Sequence, residues 1–358
     1  MNDRAGLDAA RAVLARAVHD RIVPAAAAEV GDSRGVLWRE AFGRLLFDEA
    51  AAPATPETIF DLASLTKPIA TTSAVMTLVE RKTLDAREPI AACVDGWRGA
   101  DRESATVRDL LEHASGLSAR LLDAPPRGRH EFEHEICAQP LEYPPRTRSV
   151  YSDLGFILLG FIVEDRAHSS LAVEFEEMVA APRDLASDIL TFDVSGISRD
   201  RIAPTLPMPD DPRRGRMLVG EVHDNYAAAL GGVAGHAGLF GTAGGVGAFA
   251  RTVLRGARGD ETAPPPFSPA LVARATTKSS VPSSSRALGW DLMLATSSCG
   301  TRLSSAAFGH VGFTGTSLWI DPVLDRYFVL LANRVCGGGT VDQMRDVRRA
   351  FHDALAGL

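Results

Sequence analysis

Ser64 and Lys67 stand three residues apart in the stretch TIFDLASLTKPIATTSAVMTLVERKTL, residues 58–84. The first six residues are extended and β-branched, and apolar residues then recur at Ile69, Ala70, Ala74, Met76, Leu78 and Val79, the pattern of a long buried helix. Ser64 is thus expected at or near the helix N-cap. There the unpaired N–H groups and the positive end of the helix dipole favour a forming alkoxide or tetrahedral oxyanion. Residues i and i+3 share a helix face, so the Lys67 amine can reach the Ser64 hydroxyl. A desolvated lysine with a lowered pKa takes up a proton at neutral pH. The pair suits acyl transfer through a covalent serine intermediate. The same four residues also suit a serine cap followed by a surface lysine, so partners elsewhere in the chain decide between the two.

Those partners sit on elements that can be read in order. Residues 7–21 carry Leu, Val and Ala at helical spacing, and 22–30 and 35–47 read as two strands. TVRDLLEHASGL, 106–117, reads as a helix capped by Thr106 and stopped by Gly116, with a further short helix around 131–137. Tyr151 stands just before a helical run to 167. Residues 183–222 carry Pro, Asp and Arg without periodicity and read as a long excursion over the site mouth. The glycine-rich run 231–247 lacks a Gly-Lys-Ser/Thr and reads as tight backbone packing before a helix through 249–255. From 287 onward three strands are expected, GWDLMLA, FGHVGFTGTSLWIDP and RYFVLLANRV, then a last amphipathic helix over 341–356. Strands at both ends and helices between them predict an α+β fold: an antiparallel sheet built from both chain termini and flanked by helices, with an inserted, mostly helical lobe. The expected division is 1–90 and 270–358 for the sheet lobe and 91–269 for the inserted lobe with its long loops, and the cleft lies between them.

Composition removes several classes. A chain of 358 residues with 46% hydrophobic and 23% charged residues can bury a large core. A net charge of −7 without a basic stripe argues against nucleic acid. Cys93, Cys137, Cys299 and Cys336 are far apart and form no Cys-x-x-Cys, so neither a zinc site nor a disulfide framework is expected. The N-terminal residues carry charges at regular intervals and lack an apolar signal core, and no run of about 18 uncharged apolar residues occurs elsewhere. A cytoplasmic protein with no membrane partner, no metal and no cofactor is expected. His113, His223 and His236 lack metal spacing and read as structural.

Three elements now align: Ser-Leu-Thr-Lys at a helix start, Tyr151-Ser-Asp153 at another, and His310-Val311-Gly312-Phe313-Thr314 near the C-terminus. This order resembles the serine β-lactamase and penicillin-binding-protein superfamily. The segments TVRDLLEHASGL, VYSDLGFILLG, EVHDNYAAALGGVAGHAGLF and GHVGFTGTSLWIDP are similar to the class C β-lactamase-like serine hydrolases, which include family VIII esterases and related peptidases. The resemblance covers about residues 20–340. It implies that Ser64 is the acylated nucleophile and that Lys67 helps take its proton. Tyr151 would act as phenolate or relay base and then protonate the leaving group, its phenolate favoured by the nearby cation. The backbone N–H groups of Ser64 and Phe313 would form the oxyanion hole, and Asp153, His310, Gly312 and Thr314 would line the substrate.

Departures from the family pattern bear on substrate. Asp153 replaces the usual Asn, an acceptor-only group where an amide would meet a substrate carbonyl. His310 and Val311 replace Lys and Thr, which in β-lactam enzymes help hold the substrate carboxylate. An ester or uncharged amide is therefore expected, and a carboxylesterase acting on a small molecule. A β-lactamase or D-amino-acid peptidase, a transacylase, and a non-catalytic sensor or scaffold are the alternatives. The strand motif has a second possible register, Phe313-Thr314-Gly315, in which Thr316 would supply the second oxyanion donor. Glu164 is not read as a deacylating base, because no class A segment surrounds it.

Overall fold

The structure, a computed structural model, describes residues 3–121, 125–180 and 188–358. Of the expected loop segments, 122–124 and 183–187 lie outside the described residues. In chain order, α1 (Asp3–His19) precedes the hairpin of β1 (Ala25–Gly31) and β2 (Val36–Gly43). A short strand, β3 (Phe60–Asp61), leads into the Ser64 segment and then α2 (Ser73–Glu80). The inserted part holds α3 (Val107–Leu111), α4 (Gly128–Ala138), α5 (Asp153–Ala167), α6 (Leu171–Phe175), β4 (Leu190–Thr191) and α7 (Asn225–Ala229). It is followed by β5 (Phe240–Gly241), α8 (Ala243–Ala257) and α9 (Pro269–Thr276). The chain ends with β6 (Asp291–Leu292), β7 (Phe308–Val311), β8 (Ser317–Asp321), β9 (Arg326–Ala332) and α10 (Val341–Leu355).

Six of these strands form one antiparallel sheet in the order β2-β1-β9-β8-β7-β6, so the two ends of the chain meet where β1 pairs with β9, Ala26 opposite Ala332. Strand alternation assigns the two faces. Ala26, Ala28 and Val30 of β1 and Phe328 and Leu330 of β9 face α1 and α10, packing with Leu14, Met344, Val347 and Phe351. Ala25 and Ala27 of β1 and Val329 and Leu331 of β9 face the other way, into the core shared with Val246, Phe249 and Val253 of α8. Four successive alanines are poor strand formers by propensity. Here they let helices approach both faces closely, and tertiary packing overrides the preference. The FGHVGFTGTSLWIDP stretch, expected as one strand, is a hairpin of β7 and β8, because residues 312–316 turn back with the Gly312 N–H on the Thr316 carbonyl at 2.9 Å.

In α5 every residue from Leu154 to Val163 is buried, as a helix apolar on all sides must be. Ser152 caps it, its hydroxyl accepting the Gly155 N–H at 3.2 Å. The glycine-rich run packs tightly, as its composition implies. A Cβ on Gly235 would lie 2.0 Å from the Phe156 carbonyl oxygen of α5, and one on Gly247 would lie 1.9 Å from a Glu29 carboxylate oxygen. Beside the main sheet, the short strands β3, β5 and β4 form a second sheet, whose β3 leads into the Ser64 segment.

Candidate active site

β3 delivers the chain into a strained turn. Ala63, just before Ser64, has φ +48°, a conformation that costs an ordinary residue energy and is held only by its surroundings. The Asp61 carboxylate supplies part of that hold, accepting the Ala63 N–H at 2.8 Å and the His223 N–H at 2.6 Å. Burial pushes this carboxyl up to about 6, against the pull of those two N–H groups. Ser64 sits within the single 3-10 turn Ala63–Leu65, a π-helical segment Lys67–Thr72 follows, and the α-helix proper starts only at Ser73. The expected continuous helix is thus three helical forms in series. Pro68 lacks an N–H, and the Thr71 hydroxyl donates to the Gly235 carbonyl at 2.7 Å, so side-chain and sequence effects act on the regular ladder where Lys67 must turn inward.

The Lys67 amine is fully buried and meets three acceptors: the Ser64 hydroxyl at 3.0 Å, the His236 carbonyl at 3.0 Å, and a carboxylate oxygen of Asp153 at 2.8 Å. The first two are hydrogen bonds that the amine donates, and the third is an ion pair. Burial pushes the lysine down, but the Asp153 carboxylate outweighs it, and the amine is held above the ordinary lysine value. The expected lowered pKa is therefore corrected to a persistent cation. Asp153 belongs to a chain of charges. Arg120 joins its second oxygen at 3.0 Å to Asp224 at 2.9 Å, and Asp224 meets the His236 ring at 2.8 Å. Burial pushes Asp153 up, the Lys67 ammonium pulls it down, and the net is an ionised carboxylate.

Tyr151 reaches the same hydroxyl from the other side, its phenol oxygen 2.8 Å from the Ser64 oxygen. The Lys67 nitrogen lies 4.8 Å from the Tyr151 ring centroid, and the rings of His113 and His310 lie 4.7 and 6.0 Å from it. Burial pushes the phenol up and outweighs the lowering by Lys67, so the expected phenolate gives way to a neutral phenol. His113 accepts the Ser152 N–H at 3.0 Å, which fixes the backbone between Tyr151 and Asp153.

β7 forms the opposite wall. His310, Val311, Gly312 and Phe313 line the cleft with Ser64, Tyr151 and Asp153. Burial pushes His310 down to about 4, and its Nδ1 lies 2.8 Å from the Val311 carbonyl, which assigns the proton to that nitrogen. A neutral imidazole thus stands where the family pattern has an ammonium. Thr314, expected beside the substrate, is 1% exposed and donates to the Asp61 carbonyl at 2.8 Å, and Thr316 likewise donates to Leu62 at 3.0 Å. Both hydroxyls face away from the cleft because the hairpin turn presses on β3. This arrangement favours the register His310-Val311-Gly312, with Phe313 next.

The cleft measures about 530 Å³. His223 and His236, expected to be structural, both line it, as do Arg120, Asp224, Arg286 and Arg348, which the sequence reading did not single out. Asp224 lay within a quoted family segment, and its capping of α7 was a usable signal. Arg120 stands in an unpatterned loop and gave none. Among the described residues no group of three His, Cys, Asp or Glu is placed to hold a metal ion, and no helix is long and apolar enough to cross a membrane. A hydroxyl at the foot of a cleft, contacted by one ammonium and one phenol, can support acyl transfer.

The antiparallel sheet, the inserted helices and this cleft define a serine β-lactamase-like fold. The sequence model of the family described as "Beta-lactamase" matches residues 10–352, and the chain belongs to that family. It is 32% identical over 337 residues to an Escherichia coli (strain K12) protein named "Putative D-alanyl-D-alanine carboxypeptidase", covering 84% of this chain and 76% of that one. It is 32% identical over 303 residues to the "N-acetylmuramyl-L-alanine amidase" of Bacillus subtilis (strain 168), covering 77% and 68%. A solved structure described as "EstCE1, a hydrolase with promiscuous acyltransferase activity" superposes with TM-score 0.79 at 21% identity, covering 99% of both chains.

Proposed function

We propose that the protein is a serine hydrolase that works through an acyl-enzyme on Ser64, with a small ester or uncharged amide as substrate and carboxylesterase as its principal activity. The observation that carries this reading is the double contact on the Ser64 oxygen, from Lys67 at 3.0 Å and Tyr151 at 2.8 Å. Because the phenol is neutral at rest, it acts as a relay. As the Ser64 oxygen bonds to the substrate carbonyl carbon, its proton passes to the Tyr151 oxygen, and the phenol's own proton passes to the departing alkoxide. The Lys67 ammonium, 3.0 Å from the Ser64 oxygen, stabilises the negative charge that grows on that oxygen as its proton leaves. Water then repeats the sequence in reverse, releasing the acid and restoring Ser64. The N–H groups of Ser64 and Phe313 receive the carbonyl oxygen, and losing one such donor costs about 10²- to 10³-fold in rate.

The preference for an ester or uncharged amide is supported by the neutral His310 and apolar Val311 on the β7 wall. A cytoplasmic setting belongs to the same reading and is supported by the four free thiols. The test is hydrolysis of p-nitrophenyl butyrate by the wild type and by Ser64→Ala: turnover is expected in the first and lost in the second, and equal rates in both remove the proposal. A second reading, a D-amino-acid peptidase, is supported by the name of the Escherichia coli relative. Release of D-alanine from D-alanyl-D-alanine peptides at rates above ester turnover decides for it.

A further inference from the structure

We infer that Arg348 is a positioning residue: its guanidinium, hydrogen-bonded to the carbonyl oxygen of Gly312, orients and polarises the peptide group whose other end is the Phe313 N–H. This rests on the reading above, in which that N–H receives the substrate carbonyl oxygen.

Arg348 lies on the buried face of α10, where Met344, Phe351 and Leu355 fill the neighbouring positions of the helical repeat. The residue is 6% exposed, and among the described residues it has no carboxylate partner. Its Nη2 donates to the Gly312 carbonyl at 2.7 Å and to the Thr316 carbonyl at 2.9 Å, while its Nε is buried without a partner. A buried, unpaired guanidinium is costly, and an apolar side chain would suit this helix face better. The charge therefore has a use, and its direct contacts say what it is.

The Gly312 carbonyl and the Phe313 N–H belong to one planar peptide. A cationic donor on the oxygen draws electron density from the nitrogen and strengthens the N–H as a donor, and hydrogen-bonded amides reinforce one another in this way. No carboxylate quenches the charge, so the peptide feels it undiluted. The turn is already pinned to the nucleophile segment by the Thr314 and Thr316 hydroxyls on the Asp61 and Leu62 carbonyls. A Cβ on Gly312 would lie 2.5 Å from the Leu62 carbonyl oxygen, which fixes how close the turn sits. Arg334 provides an internal control. It also donates to this turn, at 2.7 Å, but to the Phe313 carbonyl, which belongs to the next peptide. Burial and the neighbouring Arg334 bring Arg348 down to about 9, which leaves it charged at neutral pH.

The experiment compares wild type, Arg348→Met, Arg348→Lys and Arg334→Met on p-nitrophenyl butyrate, and records the infrared carbonyl stretch of the acyl-enzyme formed with cinnamoyl imidazole. For Arg348→Met, kcat is expected to fall at least about tenfold with KM nearly unchanged, a fraction of the loss for deleting an oxyanion donor outright. Its acyl carbonyl stretch should move up towards that of free methyl cinnamate. Arg348→Lys should recover most of kcat, and Arg334→Met should leave the stretch in place. An unmoved stretch, or equal loss of kcat in Arg334→Met, overturns the inference. If Arg348→Met fails to fold, the stretch in Arg348→Gln, polar but uncharged, is the deciding reading: an upward shift supports the role and none rejects it. Failure of the wild type to form an acyl-enzyme at all sinks the hydrolase reading instead, so the two failures are distinct.

Discussion

Lys67 turns its amine wholly into the protein, donating to Ser64 and His236 and pairing with the Asp153 carboxylate. The family pattern made its presence legible, but not its charge. A buried lysine beside a serine suggests a lowered pKa; a carboxylate at 2.8 Å reverses the sign, and only three-dimensional placement gives that distance. The same holds for Tyr151, where burial from His113 and His310 outweighs the cation. Asp153→Asn tests this balance. Lys67 is now held above its ordinary value, so its cation persists to high pH; with a neutral amide at 153, burial dominates and the pKa falls. The alkaline limb of the pH dependence of kcat/KM for p-nitrophenyl butyrate should therefore move to lower pH by about one unit or more, equivalent to at least about 1.4 kcal/mol. A limb that stays where it is in the wild type contradicts the assignment of Asp153 as the group that holds the ammonium.

At the scale of elements, the site is a meeting of three chain segments held by backbone contact. The Ser64 segment leans on the β7–β8 turn through the Thr314 and Thr316 hydroxyls, and the Lys67 segment leans on 235–236 through the Thr71 hydroxyl and the His236 carbonyl. Strands β1 and β2, helix α5 and the Thr106 cap of α3 were legible because hydrophobic period and capping residues are local signals. The π segment and the β7–β8 turn were not, because each is set by a partner distant in sequence. Gly235 marks such a partner. Its missing Cβ lets the 235–236 backbone lie on α5, where a methyl would sit 2.0 Å from the Phe156 oxygen. Gly235→Ala must push this turn off the helix, and overpacking of this kind costs about 1 to 3 kcal/mol. It also withdraws the His236 carbonyl from Lys67. A lower urea midpoint together with a drop in kcat larger than that in KM is expected; a variant with wild-type stability and turnover removes Gly235 from the site's support.

The whole molecule is a sheet closed by its own two ends, and this was legible because alternating strands at both termini leave few other ways to bury their apolar faces. What the sequence conceals is how many ionisable groups the closed fold buries. His113, His223, His310 and His352 are each 5% exposed or less, and burial is the leading cause that pushes them down: His113 well below its ordinary range, His223 and His310 to about 4, and His352 to about 3. In the unfolded chain a histidine titrates near about 6.5. The unfolded state therefore binds these protons first, and the stability carried by the neutral imidazoles is full above that pH and falls as pH drops towards their folded values. Asp61 acts in the opposite sense. Its folded pKa, pushed up to about 6 by burial, lies above the unfolded carboxylate value, so it takes up its proton earlier when folded and offsets one histidine. Counting these five groups, the unfolded chain binds about three more protons between roughly pH 6 and 4.5, and together they contribute a slope on the order of 4 kcal/mol per pH unit at its steepest. Unfolding by urea at a series of pH values should show stability level near pH 7.5 and dropping steeply below about 6, with His352→Gln removing about one proton from the slope. A stability curve that stays flat from pH 7 to 5 is incompatible with four imidazoles held neutral inside the fold.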